Sequence, residues 1–114
     1  MAHSILITKA PGKWSVRAGG AVLGESENAL ELEEDGYAPV IYFPRSDVAM
    51  AFLDQTDKTS HCPHKGAAQY FSVVTKSTTL ENAVWSYVDP TQAAERIKDH
   101  LAFYTGDGIT VEKI

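Results

Sequence analysis

The chain has 114 residues, 44% hydrophobic and 22% charged, the size and balance of a single globular domain spanning residues 1–114. A net charge of −5, with ten Lys and Arg scattered along the chain, argues against nonspecific nucleic-acid binding, which needs clustered cations. A single cysteine excludes an intrachain disulfide and suits a reducing, cytoplasmic setting, and no apolar run or basic leader points to a membrane or to secretion.

Short alternating segments between turn residues dominate, the pattern of antiparallel sheet. Ile5 and Ile7 open a strand that stops at Pro11-Gly12. Trp14–Ala18 and Ala21–Leu23 flank Gly19-Gly20, a hairpin signal because glycine adopts the positive φ of primed turns. Ala29–Glu33 alternates again, and Asp35-Gly36 leads into the apolar strand Pro39–Phe43, stopped by Pro44. Ser46-Asp47 reads as the capped start of one or two helical turns over Val48–Leu53. Lys58–His61 reads as a strand entering a turn at Cys62, and Ala68–Thr75 as the strand leaving it.

Glu81–Val88 predicts a strand with Ala83, Trp85 and Tyr87 on one face and Val84, Ser86 and Val88 on the other. Asp89-Pro90-Thr91 starts the clearest helix, Gln92–His100, with Ile97 and Leu101 at helical spacing. Leu101–Tyr104 and Thr110–Ile114 predict a closing pair of strands around Gly106-Asp107-Gly108. The expectation is a mainly β domain of two packed antiparallel sheets with one or two short helices.

His61-Cys62-Pro63-His64-Lys65-Gly66 concentrates the reactive side chains. Cys62 and His64 match half of a Rieske-type ligand set, but the second Cys/His pair is missing, so that cluster is excluded by counting. Structural zinc normally uses two or more cysteines, so no metal and no cofactor is expected. Cys62 beside cations is a candidate nucleophile, against its reading as a small buried hydrophobe. Lys65 is the second catalytic candidate; Lys65-Gly66 lacks the spacing of a phosphate loop. Glu31, Glu33, Glu34 and Asp35 read as a solvated strand edge and turn. Most aromatic residues read as core, but Tyr42, Tyr70, Trp85 and Tyr87 are candidates for a ligand cleft with Lys65 and Arg45 at its rim.

Several segments taken in order carry a resemblance: Trp14–Ala18, Glu34–Tyr37, Tyr42-Phe43-Pro44-Arg45-Ser46-Asp47-Val48, Cys62–Ser72, Ala83–Tyr87 and Phe103-Tyr104. Together they resemble domain-of-unknown-function family 427, sometimes labelled nucleotidyltransferase-like, over nearly the whole chain. The resemblance implies a β-tent fold, with two antiparallel sheets meeting at a steep angle. The zinc clamp of paired cysteines in relatives of that architecture is not carried over, because those cysteines are absent. An aromatic pocket follows by analogy with the tryptophan cage of cereblon-type relatives. The nucleotidyltransferase label finds no Gly-Ser pair with spaced aspartates to hold magnesium. His64 stands where many members carry Tyr or Trp, which implies that it is not an indispensable catalyst.

The leading functional expectation is therefore a small-molecule or modified-side-chain binding module. An enzyme using Cys62 or Lys65 is the second reading, and an interaction domain that self-associates through a sheet edge is the third. The partners left open are a small-molecule ligand and a second copy of the chain.

Overall fold

The computed structural model describes residues 4–114. Among these residues ten strands form three antiparallel sheets, where the sequence reading expected two. The first sheet has the order β1-β4-β5, from Ile5–Lys9, Leu30–Glu34 and Val40–Tyr42. The second has the order β10-β2-β3, from Ile109–Lys113, Trp14–Ala18 and Ala21–Ser26. The third has the order β6-β7-β8-β9, from Leu53–Cys62, Gly66–Val74, Thr79–Pro90 and Ala102–Phe103.

The third sheet supports two cores. Phe71, Val73, Val84 and Phe103 pack with Val16, Leu23, Phe43 and Leu101. Ala68, Tyr70, Tyr87 and Ala102 pack with Leu32, Tyr42, Ala94 and Ile97. Tyr70 and Phe71 are neighbours on β7 yet belong to different cores, which is what a period of two does to a strand covered on both faces.

The hairpin of β2 and β3 forms as expected, and Gly19 alone of its two glycines has positive φ, the sign pattern of a type II′ turn. Isolated bridges add further ties: Phe43 pairs with Leu101 through two backbone hydrogen bonds of 2.8 Å, and Gly24 of β3 pairs with Val48 in the segment before β6. Gly24 is required there, because a Cβ would stand 2.9 Å from the Asp47 carbonyl oxygen. That pairing also overturns the expected helix over Val48–Leu53. Val48 is extended and Ala49 donates to Leu23, so only two 3₁₀ turns remain, Arg45–Asp47 and Met50–Phe52. Ser46 caps nothing; Asp47 instead accepts a 2.6 Å hydrogen bond from Ser26.

The helix expected over Gln92–His100 is a shorter 3₁₀ helix, Gln92–Ile97. Thr91 N–H is bound to Lys65 O and Asp99 N–H to Tyr87 O, so both ends are fixed to the third sheet. A fixed span favours the longer rise of the 3₁₀ form, ~2.0 Å per residue against ~1.5 Å in an α-helix.

Two strand expectations also change. β9 and β10 do not pair with each other: β9 joins β8, and β10 joins β2, where Val111 faces Val16. Ala83 does not share a core with Trp85 and Tyr87, but packs with Val84 in the first core. The ladder between β7 and β8 slips between Phe71 and Val73, and Asn82 takes φ of 51°, which resets the alternation. No helix in the described residues is long and apolar enough to cross a membrane.

Candidate functional site

Cys62–Lys65 forms a tight turn with proline at its second position, where the fixed φ of proline suits the bend. Lys65 N–H donates to Cys62 O at 3.1 Å. Thr91 ties the turn down, its N–H donating to Lys65 O at 3.0 Å and its hydroxyl to His64 O at 2.8 Å. Gly66 follows with φ of 110°, and a Cβ there would collide with the Asp89 carbonyl oxygen. Glycine is thus needed at Gly66 for two separate reasons.

Lys65 forms an ion pair with Glu34, and their side chains are only 16% and 6% exposed. The pair fastens the turn to the end of β4 in the first sheet, and the Tyr37 ring lies 5.9 Å from the Lys65 ammonium. Glu34 was read as part of a solvated edge, and the structure corrects this. Leu30, Leu32 and Glu34 alternate on one face of β4, so the carboxylate follows the leucines inward. That alternation was a usable signal. What the chain could not show was the cation waiting 31 residues later.

The tyrosines lie behind this pair. Tyr42 and Trp85 meet edge to face at 6.3 Å, and Trp85 Nε1–H donates to the Tyr42 hydroxyl at 3.2 Å. Burial drives the Tyr42 phenol far above its ordinary range; the Trp85 hydrogen bond opposes this, and Glu34, Cys62 and Tyr104 add to it. Tyr87 is raised in the same way, by burial first and then by Tyr42, Cys62, Tyr70 and Glu34. Cys62 is half-buried against this core. Tyr70 shares a hydrogen bond of 2.9 Å with Ser60 and lies under the Lys58 ammonium at 4.5 Å.

Tyr42, Tyr70, Tyr87 and Trp85 are therefore brought together, with Cys62 packed against them and the Glu34–Lys65 pair beside them. The three tyrosines are core residues, however, each 7% exposed or less. Arg45 is placed apart from them. It is exposed and stacks 5.6 Å from the ring of Phe71, a residue of the first core.

Open space lies next to this cluster. A groove of about 490 Å³ runs where the three sheets meet. The first sheet lends it Glu31, Val40 and Ile41, the second Trp14, and the third Trp85, with Tyr104 just beyond β9. Trp85 and Tyr104 contact each other at 4.5 Å between ring centres, and Tyr104 is half exposed. Burial raises the Tyr104 phenol as well, with its contact to Tyr70 adding to the effect. The Trp14 indole is held by a 3.1 Å hydrogen bond from its N–H to Pro11 O. Sequence reasoning placed Trp85 in the cleft but not Trp14, Glu31 or Tyr104. Trp14 and Trp85 lie on strands of different sheets, and no periodicity along the chain reports that they share a wall.

A mainly β domain in which three antiparallel sheets converge on an aromatic groove is the class that fold and site define. The model of the family described as "Domain of unknown function (DUF427)" matches residues 6–113, and the chain belongs to that family. No curated protein matches it.

Proposed function

We propose that the domain binds a small molecule in the groove between the three sheets, with Trp14, Trp85 and Tyr104 as its aromatic walls. The observation that carries this reading is the contrast in exposure: Tyr42, Tyr70 and Tyr87 are packed away, while Tyr104 is 50% exposed beside a partly buried Trp85. Ligand sites are commonly concave, largely apolar and of about 300–1,000 Å³, and they favour places where separate elements meet. Of the residues expected to bind ligand, Trp85 keeps that role. Tyr42 supports it from behind by accepting the indole hydrogen bond. Lys65 and Cys62 hold the neighbouring turn in place.

Trp14 and Trp85 are the chain's two tryptophans, so their indole N–H resonances report directly on the groove. A small-molecule library screened by NMR is expected to yield ligands that move both resonances and lose affinity in Tyr104→Ala. A library with no ligand that moves them, or one whose ligands are indifferent to Tyr104→Ala, overturns the reading.

A further inference from the structure

The groove has an electrostatic character that its aromatic walls alone do not set. Among the described residues Glu31 is the one charged residue of its lining, and Lys and Arg do not line it. Glu31 is half-buried on β4, opposite Ile41 of β5. Among the described residues the ion pairs join Lys13 to Glu25, Arg17 to Glu112 and Lys65 to Glu34, and none engages Glu31. Cation–ring contacts among the described residues use Phe71, Tyr70 and Tyr37, and none of these uses a ring of the groove.

A groove of this kind offers aromatic rings and one carboxylate, with no Lys or Arg among its described lining residues. A hydrated ammonium gains little there, because stripping its water is costly. An alkylated ammonium is already weakly hydrated and greasy at its surface, which suits aromatic walls. The overall charge of −5 adds a favourable long-range field for a cation and an unfavourable one for an anion.

We infer that the ligand of this groove is a small organic cation bearing an alkylated ammonium group, seated against Trp14, Trp85 and Tyr104 with Glu31 as its counter-charge. This rests on the groove being the binding site, and it adds the chemical class of what binds. Choline is the probe, and 3,3-dimethylbutan-1-ol, of the same shape without the charge, is its control.

Titration of the native chain with each, followed at the two indole N–H resonances, is expected to show choline binding about tenfold more tightly than the neutral isostere. Raising the salt concentration is expected to weaken choline and leave the isostere unchanged. Glu31→Gln, with its fold checked by thermal melting, is expected to weaken choline several-fold and spare the isostere. Equal binding of the two probes overturns the inference. So does a library that yields neutral ligands for the groove while choline moves neither indole, and in that case the groove itself stands as a site. If no compound of any charge moves either indole, both readings fall together.

Discussion

Around Cys62–Gly66 several polar groups are satisfied by the protein itself: Cys62 O by Lys65 N–H, Lys65 O by Thr91 N–H, and the Lys65 ammonium by Glu34. In the groove the situation is reversed. Its aromatic walls are partly open, and Glu31 faces it with no ion pair among the described residues. In the chemically dense segment the Lys65 cation is thus already paired inside the protein, although His61 and His64 stand exposed, whereas the chemically plainer groove keeps its carboxylate open. A reactive side chain marks a site only when solvent or a ligand can reach it unpaired, and an internal partner turns the same side chain into a fastening.

Substitutions in the two regions are expected to separate stability from binding. The largest effect is expected from Gly66→Ala, which combines a left-handed backbone with a collision against the Asp89 carbonyl, at about 3–4 kcal/mol. A denaturant midpoint close to the native one would show that the turn is looser than described. Lys65→Met removes the cation paired with the buried Glu34 and is expected to cost about 3 kcal/mol. The double variant Lys65→Met/Glu34→Gln is expected to recover part of that loss. If the double variant is no better than the single one, the pair is not what fastens the turn.

Alkali tests the tyrosine core that lies between the two regions. Burial raises the Tyr42 and Tyr87 phenols above the ordinary value of 10.0. The folded state therefore holds these protons more tightly than the unfolded chain does. Their contribution is complete below about pH 10 and declines as pH rises above it. Phenolate absorbance is expected to show these two tyrosines ionising only together with unfolding. Early, non-cooperative titration of all five tyrosines would mean that the core is open.

Trp85→Phe removes the donor to the Tyr42 hydroxyl and is expected to cost about 1–2 kcal/mol, with a further loss of ligand affinity. The smallest stability effect is expected from Tyr104→Ala, at about 1 kcal/mol or less, since half of that side chain is already in water. Its ligand affinity is nonetheless expected to fall the most. A variant that reverses this order, destabilised but binding normally, would undo the contrast between the two regions.

Much of the local structure was legible in the chain. Alternation marked β1, β2, β4 and β8 because a period of two is imprinted wherever one face of a strand meets a core, while β-branched and aromatic residues marked β7. Gly19-Gly20 marked its hairpin because glycine alone takes the required φ freely. The two failed helices have a common cause. Val48 and Ala49 pair with Gly24 and Leu23, and Thr91 and Asp99 are tied to β7–β8 neighbours, so long-range backbone bonds overrode local propensity.

The site was legible only in part. The sequence marked the aromatic residues, and the ordered resemblance along it marked the family, because residue types and their order are properties of the chain itself. It could not decide which aromatics face solvent. Tyr42 and Trp85 look alike as strand residues, yet one is sealed in a core and the other lines a groove. It also could not tell that Glu34 is paired while no ion pair among the described residues engages Glu31, although the two sit three residues apart on one strand. Exposure and pairing depend on how three sheets converge, and that convergence rests on contacts between residues far apart in sequence. By itself the sequence determined the strands and the chemistry available to them; the tertiary structure alone decided which of that chemistry is used up inside the protein and which is left facing out.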